Sequence, residues 1–98
     1  MSGDASDPTV QRLREEISEV DRAIVDAVNR RLELVARLKR HKDENGIPFL
    51  DPERERAMLE HLAQANAGPL TAEGLRELYA ELLSLTKREV TRGGGEAA

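Results

Sequence analysis

Between Pro8 and Gly46 the chain carries neither proline nor glycine, and its apolar residues recur every three or four positions, with one step of seven across Arg31: Leu13, Ile17, Val20, Ile24, Ala27, then Leu34 and Leu38. That period is the helical one. A helix from about Pro8 to Glu44 is on the order of 50 Å long by its rise per residue. A folded chain of this size has a radius of gyration of roughly 13 Å. Such a helix cannot bury its stripe against its own chain alone, so a helix–helix dimer is the economical solution. Asp7 suits the N-cap of this helix and Pro8 its first position.

Two further helices follow. Asn45-Gly46-Ile47-Pro48 ends the first, with Asn and Gly suited to a C-terminal cap. Asp51-Pro52 opens the second, whose apolar side is Ala57, Met58, Leu59, Leu62 and Ala65. Ala67-Gly68-Pro69 stops it. Thr71 caps a third helix carrying Leu75, Leu78, Tyr79, Leu82, Leu85 and Val90. The expectation is an all-α fold, one long helix and two shorter ones, forming a single domain over residues 8–91. The polar head (residues 1–7) and the glycine-rich tail (residues 92–98) are expected to be disordered.

Composition narrows the function classes. The net charge of −4 gives no general attraction for nucleic acid. Without cysteine the chain has no disulfide, thiolate chemistry or thiol metal site. His41 and His61 have no carboxylate at ligand spacing, so no metal is expected; Ser84 lacks a His/Asp arrangement; and no Gly-rich loop cradles a phosphate. No apolar run nears the roughly 20 residues needed to span a bilayer. The first residues lack the pattern of a secretory leader. A cytoplasmic protein is the expectation.

The informative residues are cations on the side that should be buried. Arg14, Ile17, Asp21, Ile24, Val28, Arg31, Val35, Leu38 and Lys42 follow one another by three or four residues and so share one side of the first helix. Arg31 occupies a position where the rhythm calls for an apolar residue. Burying a cation there is unfavourable unless an anion meets it. The anion is either a structural carboxylate, such as Asp21 of a partner helix, or a ligand; a third reading has Arg31 snorkelling to solvent. Three cations on one side favour a multiply charged ligand. Arg14 and Arg31 are about 25 Å apart along the axis, so an antiparallel partner would have to bring Arg14 to the pocket of Arg31 and Lys42. In Asp51-Pro52-Glu53-Arg54-Glu55-Arg56 the same duality holds. The residues are a cap with solvated charges, or one Arg and one Glu face inward to a hydroxylated anion.

These segments resemble the all-helical class of chorismate mutases. The resemblance runs over about residues 12–90. It rests on Leu13-Arg14-Glu15-Glu16-Ile17 with Val20-Asp21, on Asn29-Arg30-Arg31-Leu32-Glu33-Leu34, on Lys42, and on Gly46-Ile47-Pro48 leading to Asp51-Pro52-Glu53-Arg54-Glu55. Asn66-Ala67-Gly68-Pro69 looks most like mutase modules fused to, or working beside, the first enzyme of the shikimate pathway.

The resemblance implies an intertwined homodimer with two sites for the dianion chorismate, each completed by Arg14 of the other chain. Arg14 and Arg31 correspond to the carboxylate-gripping arginines, and Lys42 to the lysine at the ether oxygen and a carboxylate. Asp51, Arg54 and Glu55 correspond to the group around the ring hydroxyl, with Glu55 as acceptor. On the third helix, Thr86 falls near a carboxylate. Val90 stands where many members carry Gln or Glu, and a one-residue shift would put Glu89 there instead. The implied reaction, chorismate to prephenate in phenylalanine and tyrosine biosynthesis, is a one-step pericyclic isomerisation that needs no cofactor. Related readings are mutase action on 4-amino-4-deoxychorismate, pyruvate elimination from isochorismate, and a non-catalytic regulatory subunit of a shikimate-pathway enzyme. A plain dimerisation bundle explains neither Arg31 nor the Asp-Pro-Glu-Arg-Glu segment.

Overall fold

The computed structural model describes the backbone of residues 7–96 and side chains through Arg92. The described residues form three helices and no strand: α1 (Pro8–Glu44), α2 (Pro52–Ala65) and α3 (Ala72–Glu96). Each start is chemically specified. The Asp7 Oδ1 accepts from the amides of Thr9 (2.8 Å) and Val10 (3.2 Å), satisfying donors that have no partner inside the helix. Asp51 Oδ1 accepts from the Arg54 amide at 3.1 Å, with Pro52 in the first turn of α2. Thr71 Oγ1 accepts from the Gly74 amide at 2.9 Å.

The stop of α1 is a paired-carbonyl cap. Gly46 has φ +67°, the left-handed conformation that glycine adopts most readily. From there the Ile47 amide donates to the Lys42 carbonyl (2.8 Å) and the Gly46 amide to the Asp43 carbonyl (3.5 Å). This is the Schellman arrangement. The link between α2 and α3 is held by Asn66, whose side-chain amide donates to the Leu70 carbonyl at 2.7 Å while its Oδ1 accepts from Gly68 at 3.3 Å.

At the N-terminal boundary Asp7, counted with the head, caps α1 as its place before Pro8 suggests; the rest of the head lies outside the described residues. The tail expected to be disordered from Arg92 is helical in its backbone as far as Glu96. Glycine disfavours a helix by only about 1 kcal/mol relative to alanine and does not forbid it, unlike proline. Residues 97–98 lie outside the described residues.

The backbone divides into two compact units between Glu33 and Leu34, within the span of α1. In the N-terminal unit no described residue is buried, and the stripe of α1 lies open: Ile17 and Val20 are each 58% exposed and Ile24 54%. In the C-terminal unit α2 packs on α3. The buried apolar residues there are Leu75 and Val90, together with the polar Thr86. Met58, Leu59 and Leu62 of α2 are half-buried, whereas Ala57 and Ala65 of its expected apolar side are exposed. Leu78 of α3 is also exposed.

Candidate active site

Lys42 lies in the last turn of α1 and is half-buried. The Schellman cap that ends the helix turns the chain back, so the Phe49 carbonyl accepts from Lys42 Nζ at 3.4 Å. Lys39, one turn earlier, sits 5.8 Å from the centroid of the Phe49 ring and pairs with Asp43 at 2.9 Å. Phe49 is therefore contacted by two lysines, one over its ring and one at its carbonyl. The cation–π contact and the long hydrogen bond both link the end of α1 to the segment between Gly46 and Asp51. One short turn thus stops the helix and brings the Phe49 carbonyl to Lys42.

At the start of α2, Asp51 is committed through Oδ1 to the cap, and Arg54 is exposed. Glu55 is half-buried, and its Oε1 lies 3.2 Å from Nζ of Lys87 on α3. Lys87 had no place in the sequence-based site. Its partner is far away in sequence and on a different helix, and no periodicity within either helix signals the pair.

On α3, Thr86 and Val90 are 4% and 5% exposed, one turn apart on the buried side. The Thr86 hydroxyl donates to the Leu82 carbonyl at 2.7 Å, a bond back along its own helix. Glu89 is less buried and receives Arg92 at 3.3 Å. Of the two registers considered for this helix, the packing turns Val90, not Glu89, to the buried side.

In the N-terminal unit, Arg31 is half-buried, beside the half-buried Val28 and Leu32. Arg14 is exposed and borders an open hollow of about 330 Å³ with Glu15, Ser18, Glu19 and Arg22, all on α1. The packing thus joins Glu55 to Lys87, and Lys42 to the segment leading to Asp51. Arg14 and Arg31 belong to the other unit. Among the described residues no group of His, Asp and Glu could hold a metal ion, and no helix is long and apolar enough to cross a membrane.

Comparison with known proteins gives this arrangement a context. Residues 13–90 match the family model described as chorismate mutase type II. A chorismate mutase from Thermus thermophilus superposes with a TM-score of 0.81 at 34% identity, covering 86% of this chain and 96% of that one. A bifunctional chorismate mutase/prephenate dehydratase of Aquifex aeolicus is 32% identical over 79 residues, 76% of this chain and 22% of its own length. A 4-amino-4-deoxychorismate mutase of Streptomyces venezuelae is 40% identical over 45 residues, 46% of this chain and 44% of its own length. A T-protein of Enterobacter agglomerans is 47% identical over 47 residues, 48% of this chain. The chain spans only 13% of that T-protein and under half of the Streptomyces mutase. The family match extends from Leu13, the first residue of the α1 stripe, to the buried Val90. On that match, which covers most of the sequence, the chain belongs to the chorismate mutase type II family.

Proposed function

We propose that this chain is an enzyme that rearranges chorismate to prephenate, acting as a cytoplasmic homodimer. The observation that carries the reading is the family match over residues 13–90, which contains every residue assigned to the site. The chemistry asks for no nucleophile or redox group. It asks for a flexible dianion held in the folded conformer, and for positive charge where the ether oxygen becomes negative as its bond breaks.

In this reading Arg31 and the Arg14 of a second copy hold the two carboxylates, and Thr86 borders one of them. Lys42 donates toward the ether oxygen. The Lys42–Phe49 contact is long for a hydrogen bond, so the ammonium has little to give up when substrate enters. Glu55 accepts from the ring hydroxyl, with Asp51 and Arg54 beside it. Val90 presents an apolar wall where many members offer an amide or carboxyl, which leaves Lys42 as the cation at the breaking bond.

The second copy is supported by the open stripe of α1, whose large aliphatic residues have no cover in the single chain. A contiguous apolar surface on a polar chain commonly marks an association face. A partnership with a shikimate-pathway enzyme is also part of the proposal; the Aquifex relative joins a chorismate mutase to a second enzyme, a prephenate dehydratase, in one protein. The name of the Streptomyces relative favours one competing reading, mutase action on 4-amino-4-deoxychorismate. The test is loss of chorismate absorbance on adding the purified chain, with prephenate identified among the products. Conversion of the amino compound alone would select the competing reading; conversion of neither would remove both.

A further inference from the structure

We propose that Lys87 is a specificity-determining residue that makes the site prefer a ring hydroxyl over a ring ammonium. The inference rests on the reading above, in which Glu55 faces the ring substituent of the substrate. Lys87 Nζ stands 3.2 Å from Glu55 Oε1, joining α3 to the first turn of α2. The two side chains are 45% and 32% exposed, and an ion pair this open adds little to stability. Its consequence is local charge.

A carboxylate without a neighbouring cation serves a neutral hydroxyl and a charged ammonium alike, the ammonium more strongly. A carboxylate already paired with lysine differs. Its second oxygen still has acceptor capacity for an O–H donor. An ammonium brought to the same carboxylate would also be brought close to Lys87, and like charges at that range oppose each other near a protein surface. Asp51, the other acid at the start of α2, is committed through Oδ1 to the Arg54 amide, at the positive end of the helix. The compound that carries the distinction is 4-amino-4-deoxychorismate, in which an amine replaces the hydroxyl. Selection then works by repulsion of the wrong substrate rather than by an added contact to the right one.

The experiment compares kcat/KM for chorismate and for 4-amino-4-deoxychorismate in the unmodified chain, Lys87→Gln, Lys87→Met and Lys87→Arg, each checked for helix content and size. Removing the charge should shift the ratio toward the amine by about tenfold, as expected for one screened like-charge contact. Lys87→Arg should keep the original ratio, because the cation remains. An unchanged ratio in both neutral variants, or an equal fall for both substrates, marks Lys87 as a structural strut and overturns the inference. An unmodified chain that turns over chorismate keeps the reaction assignment intact in that event. One that turns over neither compound overturns the assignment itself, and this inference with it.

Discussion

At the scale of the residue, Lys42 and Gly46 belong to one device. The left-handed glycine lets the chain reverse so that Ile47 bonds to the carbonyl of Lys42, while Phe49 meets the same residue's ammonium. Substituting Lys42→Ala should lower kcat/KM for chorismate by about a hundredfold or more, the effect of losing a preorganised donor at developing charge. Helix content should be unchanged, since the side chain adds one long hydrogen bond. Activity within a few-fold of the unmodified enzyme would remove Lys42 from the mechanism. Gly46→Ala tests the backbone. A Cβ there would meet nothing within 4 Å, so its effect is conformational alone. The expected loss is about 1 kcal/mol of stability in urea unfolding. Gly46→Asn should lose less, because asparagine tolerates this conformation better. Protein concentration must be held fixed in that comparison if a second copy contributes.

At the scale of the element, the sequence was explicit about starts and stops. Asp7, Asp51 and Thr71 cap their helices through side-chain oxygens, and Asn45-Gly46 closes α1, because capping is local chemistry written in adjacent residues. Glycine is a weaker signal than proline, and α3 accordingly runs through Gly93–Gly95 where a break was expected. The period of α1 puts Arg14, Arg31 and Lys42 on one side of the helix, where Arg31 and Lys42 are half-buried and Arg14 is exposed. The Glu55–Lys87 pair was not legible in this way, since it depends on how α2 lies on α3, and no repeat within one helix records that. Asp51 carries two readings, cap and site residue, and Asp51→Asn separates them. Asparagine caps as well as aspartate, so stability should stay within a few tenths of a kcal/mol, while Asp51→Ala should lose about 1 kcal/mol. A fall in activity with Asn at unchanged stability, measured by denaturant titration beside the enzyme assay, would place the carboxylate's charge in the site.

At the scale of the whole molecule, the question is what covers α1. Ile17 and Ile24 are 58% and 54% exposed in the single chain, on the same side as Arg14. A polar substitution at so open a position in a monomer normally changes stability by no more than about 0.5 kcal/mol. A second copy on the stripe changes that expectation. Placing a carboxylate between two helices requires desolvating it without a partner, and in practice the interface opens instead. Ile17→Glu combined with Ile24→Glu should therefore convert a dimer to a monomer in sedimentation equilibrium, at concentrations where the unmodified chain is dimeric. Turnover should be lost with it even though Arg31, Lys42 and Glu55 are untouched, because the Arg14 of the second copy no longer reaches the site. The single variant Arg14→Ala is the companion measurement. It should remain a dimer and still lose turnover, which separates the loss of one guanidinium from the loss of the assembly. If the double variant sediments as a monomer yet keeps its activity, each chain holds a complete site, and the long helix has an architectural role alone. If it stays dimeric, the stripe is not the association face, and the excess apolar surface of α1 needs another occupant.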